Sequence, residues 1–534
     1  MFFAVVTSAL LTIFATAVMS YISVAIPIGP WIAPTIVLLA LCIFKIFTSW
    51  HASAISRYSA LATCAASIGG ILATGVGFSY PAIYFVDPVT FNEWLARPLF
   101  FCVMLGCLAV AAGSLGIWLA HLFAHKLVVE EQLAFPIGAL VQKMIAAHQS
   151  VRKSVELVVG FISTGIFCAL QDGIGFVTSI IPKSATLLPA MQFSIIAIPA
   201  LRLDFWPLLW AIGFVTGHMI ALPLAVGAIS KIALIDPLNK LFFTNITNSD
   251  FVLAFCSGLV LAGALQGFVG IPASLLRSVK NVWAPRTKTS LSKLSNLPIS
   301  HMVEGALVLG IFFAYLSYLN FSLVAQMYVL LFTVIVTYQL AIIAGKMGLA
   351  PLGRFATFVM VPALFLFNLD LVNTIIVATF VEICGGVTAD ALFGIKIAQL
   401  GDISLNRLKR YQYFGLLVSA VSVGIVFWLL ITHFQLGSHE LFAQKAQARA
   451  LLINAHSFDL YVVTLGLLFG FALKYIKMNP ALILSGILMP LNLSIGLIVG
   501  GLLTLLVKDK EEWYPFWSGV FAANSIWMLL KTML

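Results

Sequence analysis

Three acidic side chains stand inside long apolar runs of this chain, where an ionised group is costly unless it has work to do. Asp172 lies beside Gln171 in FISTGIFCALQDGIGF, and Glu382 and Asp390 share the run ATFVEICGGVTADALF. If those runs cross a bilayer, each acid costs roughly 2.5–3.5 kcal/mol at a helix centre and must face a partner or a water-filled cavity. The step from Glu382 to Asp390 turns a helix by about 80° beyond two full turns, so both can line one cavity. Lys396 follows on the same segment as a counter-charge, and Glu304 follows His301 at the mouth of another run. Two chemistries fit such acids. One that takes up a proton in one state and releases it in another couples protonation to a conformational cycle. One that is paired permanently across two helices only locks a bundle.

A second kind of chemistry belongs to the backbone. In Phe135-Pro136-Ile137-Gly138 the proline withdraws a hydrogen-bond donor and the glycine relaxes the helix. Backbone groups are then left to meet a ligand where lipid is excluded. The segment 131–146 is short, which predicts a re-entrant half-helix acting as gate or binding element; the plain alternative is an amphipathic connector. Pro223 and Pro490 invite the same argument. His218, in GHMIALP, either titrates near neutral pH or hydrogen-bonds a neighbouring helix.

The elements that position these groups follow from composition. Of 534 residues 61% are apolar and 9% charged, with mean hydropathy +1.08. A soluble domain carries about 25% charged residues, so the charges here cannot cover a water-facing surface. The seven cysteines are scattered singly in apolar runs, without a CxxC or a Cys/His cluster of zinc spacing, so no disulfide framework and no metal site is indicated. The net charge of +10 reflects basic cytoplasmic loops rather than nucleic acid as a partner. There is no P-loop, no GxGxxG after a strand, no HExxH and no GxSxG, which speaks against an enzyme and against an ATPase module.

Runs of about 20 apolar residues, the length that spans a bilayer, fall at 2–26, 29–49, 58–85, 98–123, 155–181, 187–201, 205–230 and 250–273. They resume at 301–319, 321–345, 353–369, 371–398, 411–433, 458–475, 479–507 and 514–530. The expectation is an all-α, polytopic transmembrane helical bundle of about 16 segments, with 187–201 short enough to be re-entrant. A basic cytoplasmic loop, 274–300, separates an N-terminal transmembrane half, 1–273, from a C-terminal half, 301–534. With this count the basic clusters around Lys126–Lys153, Arg277–Lys293 and Arg407–Arg410 share one face, as the positive-inside rule requires. Both termini are then cytoplasmic, in the plasma (inner) membrane. Trp50, Trp513 and Tyr514 near span ends suit interfacial anchoring to membrane lipid.

The chain also echoes itself. Tyr21–Phe47 resembles Tyr338–Phe367, with Gly69-Gly70 matched by Gly385-Gly386, and Gly213 and Gly227 are spaced like Gly486 and Gly500. Internal repeats are common in secondary transporters. The span count gives the first echo opposite orientations and the second the same orientation.

Around residue 130 the text becomes specific. Glu131-Gln132-Leu133-Ala134-Phe135-Pro136-Ile137-Gly138, after His125-Lys126, resembles the "L-x-F-P-S-G" signature of the oligopeptide transporter (OPT) family, which includes a yellow-stripe-like, metal-chelate branch. Ala62–Ala82 is similar to the family's small-residue helix ending in "PA", and Leu203–Ser230 to its glycine-spaced helix. Ile343–Gly348 with Pro351 resembles "A-G-E-T-G-x-N-P"; Ala389-Asp390 through Lys396 to Arg407 and Gln412 resembles "D-L-K-T-G-Y … P-R-x-Q"; Met489–Gly501 resembles "Y-L-P … G-G". The chain departs from the pattern at Ile137, Lys346, Gly394, Ile395, Ala398 and Gln399. The resemblance covers nearly the whole chain and implies a proton-coupled symporter of small oligopeptides or metal chelates that works by alternating access. No cofactor is implied beyond H+ as coupling ion; a homo-oligomer is compatible. In that reading Glu382, Asp390 and Asp172 are proton-coupling candidates. Gln171, Phe135, Pro136, Gly138, His218, Lys396 and Pro490 are binding or gating candidates. An intramembrane enzyme acting on a lipid-linked substrate and a passive channel are the rival readings.

Overall fold

A computed structural model describes residues 2–25, 32–48, 51–146, 151–173, 179–193, 196–216, 218–259, 261–262, 265, 299–347, 350–438, 440–454, 459–476, 478, 480–488, 491–507 and 510–531. The chain is helical nearly throughout, because a backbone surrounded by lipid must satisfy its own hydrogen bonds. Among the described residues eight helices are long and apolar enough to cross a membrane, and further apolar helices are shorter. Apolar stripes face outward at helical spacing, as with Val155, Val159, Ile162 and Ile166, or Leu417, Val421 and Ile425. Such stripes would be costly in water and are the natural surface for lipid.

The helices fall into two compact units: Met1–Ser23, Trp31–Gln149 and Gln266–Thr432 in the first, and Val24–Pro30, Ser150–Leu265 and His433–Leu534 in the second. The halves 1–273 and 301–534 are thus a division of the sequence; each compact unit draws on both.

In the first unit, α1 (Phe2–Ala25), α2 (Ala33–Phe47), α3 (Ala52–Ser79) and, beyond the short α4 (Ala82–Val86) and α5 (Pro88–Leu95), α6 (Pro98–Ala124) form one series. A π-helical turn at His125–Glu130 leads to α7 (Pro136–Ala146). After α12 (Ile299–Tyr318) the series returns as α13 (Leu323–Met347), α14 (Leu352–Phe367), α15 (Leu371–Leu400) and α16 (Leu405–His433). The two series pack head to tail. Gly106 abuts Ala420 O while Gly424 abuts Cys102 O, so α6 and α16 exchange the same contact in opposite directions. α3 and α15 are also antiparallel, and the most apolar stretch of each is enclosed by protein, whereas about a third of that of α6 is not. Their runs of Ala, Gly, Ser and Thr explain the difference: small side chains let neighbours close on every side.

In the second unit, α8 (Val151–Asp172) is followed by four short strands, then α9 (Pro207–Thr216), α10 (His218–Ser230), a π-helical turn at Lys231–Ile235, α11 (Asp236–Phe242) and a helical stretch at 248–259. The second series is α17 (Gln444–Ile453), α18 (Leu460–Tyr475), α19 (Pro480–Leu488), α20 (Leu491–Leu503) and α21 (Lys510–Lys531). Glycines again make the crossings. Gly213 would place a Cβ 2.2 Å from Leu497 O, and Gly500 one 2.3 Å from Trp210 O; Gly227 meets Ile483 O and Gly486 meets Leu224 O, both at 2.2 Å. Gly160 meets Phe516 O as Gly466 meets Phe255 O, and Gly519 meets Leu157 O as Gly258 meets Val463 O. Each of these crossings therefore has a mirror contact with the partners' roles exchanged, the signature of an inverted repeat.

Two expectations are corrected here. Residues 187–201 make no pass: β1 (Ser184–Leu188) pairs antiparallel with β4 (Leu201–Asp204), and β2 (Met191–Phe193) with β3 (Ile196–Ile198). Pro189 and Pro199 interrupt any helix here, and apolar and polar residues alternate in Met191-Gln192-Phe193 and Leu201-Arg202-Leu203-Asp204, as a strand with one covered face requires. The second echo is also inverted rather than parallel, since Gly213 meets the Gly500 end and Gly227 the Gly486 end of its copy. The miscounted hairpin lies between the first copies of the two echoes and has no counterpart between the second copies, which is why span counting set the echoes at odds.

Candidate functional site

α15 carries Glu382 and Asp390 through the first unit, both buried. Glu382 accepts a hydrogen bond from Ser79 Oγ, and Asp390 accepts one from Ser67 Oγ at 2.6 Å. Both serines belong to α3, and the antiparallel course of the two helices lets one pair form toward each end of the seam. Between them Gly75 brings the backbones together, because a Cβ there would lie 2.9 Å from Ile383 N. On another side Thr388 Oγ1 donates to Gly116 O of α6 at 2.9 Å. A serine hydroxyl donates to a carboxylate and accepts from a carboxylic acid. Each acid–serine pair is therefore satisfied in either protonation state, which a fixed pairing with a lysine or arginine would not allow.

The Phe-Pro-Ile-Gly stretch docks on this same helix. Phe135 has φ +44° and donates its N–H to Gly345 O at 2.8 Å; its buried ring meets Phe393 edge-on at 5.9 Å. Pro136 opens α7, a position where a missing N–H costs nothing. Gly138 lies so close to α15 that a Cβ would sit 2.7 Å from Phe393 O. Gln412 of α16, fully buried, holds the backbone one residue past Asp390: its Nε2 donates to Ala391 O at 3.0 Å and its Oε1 lies 2.9 Å from His121 Nε2. Lys396, in contrast, donates to Gln399 on its own helix at 3.3 Å. Glu304 accepts from Lys409 and from Tyr413 OH, the latter at 2.7 Å.

Asp172 and Gln171 sit in the second unit and are engaged differently. Asp172 Oδ1 is 3.0 Å from Lys183 Nζ, and its Oδ2 accepts from Trp527 Nε1 at 3.0 Å. Gln171 Nε2 donates to Phe205 O at 2.8 Å. Lys183 and Phe205 flank the nested hairpin, so these two residues hold its base. His218 opens α10, and its side chain lies outside the described residues, as does Pro490.

Ser67 and Ser79, which hold the two acids, and His121, which meets Gln412, are not singled out by the sequence. The serines were legible only as hydroxyls on a small-residue helix, with nothing in spacing to aim them at acids more than 300 positions away. A clearer signal existed for the second unit: Phe255-Cys256-Ser257-Gly258 and Phe516-Trp517-Ser518-Gly519 repeat one tetrapeptide pattern at equivalent crossings.

Lipid-facing helices, a buried polar seam and inverted repeats define a polytopic membrane protein. The family model described as OPT oligopeptide transporter protein matches residues 2–524, nearly the full length, and the chain belongs to that family of membrane transporters. No curated protein matches the chain in sequence.

Proposed function

We propose that this transporter is a proton-coupled symporter of small oligopeptides or metal chelates working by alternating access, with Glu382 and Asp390 as the proton-binding groups. The observation that carries the reading is that both acids are buried in one membrane-spanning helix and bonded to hydroxyls that suit either protonation state. Inverted repeats supply two related arrangements of the same elements, the structural basis of alternating access. One proton moved through 100 mV contributes about 2.3 kcal/mol, enough for roughly 50-fold accumulation of a neutral solute. In this reading Phe135, Pro136 and Gly138 gate movement against α15, and Asp172 with Gln171 anchors the hairpin. The protein sits in the plasma (inner) membrane; without 187–201 as a pass, the even span count that put both termini on the cytoplasmic face does not hold.

The test is uptake into proteoliposomes with an imposed pH gradient, screening di- to penta-peptides against ferric and other metal chelates. Uptake of one class should follow the gradient and vanish with a protonophore. Glu382→Gln and Asp390→Asn should each uncouple or stop uptake while the protein stays folded. Wild-type, gradient-dependent rates in both variants would overturn the assignment.

A further inference from the structure

A bridge of two hydrogen bonds joins the turn of α15 that carries Asp390 to an imidazole on α6. Gln412 Nε2 donates to Ala391 O at 3.0 Å, and its Oε1 lies 2.9 Å from His121 Nε2. A backbone carbonyl only accepts, so Ala391 O fixes which end of the Gln412 amide points at α15. The other end, the amide oxygen, then faces His121 and also only accepts. His121 Nε2 must therefore carry a hydrogen in the neutral and the charged ring alike, and a second proton can enter only at Nδ1. The imidazole can change its charge without breaking the bridge. Close packing holds the amide in place, since a Cβ on Gly394 would lie 2.9 Å from Gln412 Nε2 and 3.3 Å from Cys64 Sγ.

The register of α6 places this imidazole beside the acid. Gly116 is seated on α15, where a Cβ would meet Cys384 O at 2.7 Å and where Thr388 Oγ1 donates to Gly116 O at 2.9 Å. His121 follows Gly116 by about one and a half turns, and its bridge reaches α15 at the residue after Asp390. The other charged and titratable groups around this end of α6 have partners. Glu304 of α12 accepts from Lys409 and Tyr413 of α16, and Lys396 of α15 donates to Gln399. His125 Nδ1 is 3.1 Å from Glu130 Oε1, and Lys126 lies 5.9 Å from the centre of the Tyr338 ring of α13. Asp390 and Gln412 are buried, whereas His121 is half-buried and is the least enclosed of the three.

We infer that His121 is a positioning residue of the proton step, held beside Asp390 by Gln412 so that a proton on the imidazole opposes a proton on the acid. The inference rests on the proton-coupled reading of Asp390. Its cause is charge: an imidazolium near a carboxyl group favours the carboxylate. By linkage the effect is mutual, and an ionised Asp390 favours the charged ring. The two groups then titrate as a pair, with one proton on either member over the range that histidine ordinarily spans. Loading the imidazole drives the acid to release, and emptying it lets the acid bind again.

Infrared spectroscopy of the full chain in lipid tests this without transport. The carbonyl stretch of protonated Asp390 is the band that Asp390→Asn removes, and its midpoint is read against pH. His121→Gln keeps a donor toward Gln412 and cannot take a charge, whereas His121→Arg keeps a donor and is always charged. The midpoint should rise by about half a unit or more in His121→Gln and fall by a similar amount in His121→Arg. A role in packing alone would not move the two variants in opposite directions. The half-maximal pH of gradient-driven uptake into proteoliposomes should part in the same way. An unchanged midpoint in folded His121→Gln, or a shift of the same sign in both variants, overturns the inference. If Asp390→Asn removes no band at any pH, the inference falls together with the proton role of Asp390. If the midpoints part as expected while wild-type uptake ignores the gradient, the proton-coupled reading fails and the pairing of His121 with Asp390 stands.

Discussion

Gly75 and Ile383 touch backbone to backbone, and this single approach sets the distance between the two helices that carry the acid–serine pairs. A methyl group at position 75 would fall 2.9 Å from Ile383 N and 3.0 Å from its Cα, neither of which can swing aside. Gly75→Ala should therefore force α3 and α15 apart, at a cost of about 1–3 kcal/mol. Thermal unfolding in detergent should show the loss, and uptake should fall with it. Gly165, whose Cβ would meet nothing within 4 Å, is the control, and Gly165→Ala should leave both measurements unchanged.

Ser67 and Ser79 should be replaceable by threonine but not by alanine. Removing the hydroxyl strands a buried carboxyl group, a penalty of about 1–3 kcal/mol. Ser67→Ala and Ser79→Ala should each lower the unfolding temperature and alter the dependence of uptake on pH. Restoration by Ser67→Thr would separate the role of the hydroxyl from that of the space it fills.

Asp172 offers a contrast with the acids of α15. Its partners Lys183 and Trp527 differ in exposure, with the lysine side chain 69% accessible. Lys183→Ala should cost less than about 1 kcal/mol, as exposed ion pairs do. Trp527→Phe, which leaves the carboxylate short of a donor, should cost more. Proteolysis within 184–204 should rise in Asp172→Asn, because the base of the hairpin is loosened, and gradient-driven uptake should persist.

Asp87 caps α5 from outside the membrane-spanning segments, accepting from Thr90 N at 3.1 Å and from Thr90 Oγ1 at 2.6 Å. Those bonds hold its carboxyl below the usual carboxylate range. A group whose folded pKa lies under its unfolded one contributes fully above the unfolded value and loses its contribution as pH falls through the folded one. Asp87→Ala should therefore cost about 1 kcal/mol near neutrality. The difference from wild type should shrink in strongly acidic buffer, as read by thermal unfolding at several pH values.

Much of this architecture was readable from the residues alone. Apolar runs located the helices, and the cost of intramembrane charge singled out Glu382 and Asp390. What could not be read has physical causes. Apolar runs of the length of 187–201 suit a strand or a helix equally, and only pairing with a partner strand decides. The segment 444–453 is polar enough to pass for a loop, since composition records what a helix is made of and not what surrounds it. Glu382 and Ser79 are far apart along the chain, and no periodicity within either helix encodes their meeting. The Phe-x-Ser-Gly repeat, however, did mark the inverted crossings of the second unit.

The exchanged glycine contacts have a bearing on ancestry. A contact in which each partner offers the other the same patch is what two copies of one polypeptide make about a two-fold axis. Gly160 against Phe516 and Gly466 against Phe255 form such a couple, now covalently joined in one chain. A half-length precursor that inserted in both orientations would have needed only one set of these glycines to build both sides. Fusion then freed each side to diverge, which is how a nested hairpin can follow α8 while only a few residues separate α18 from α19.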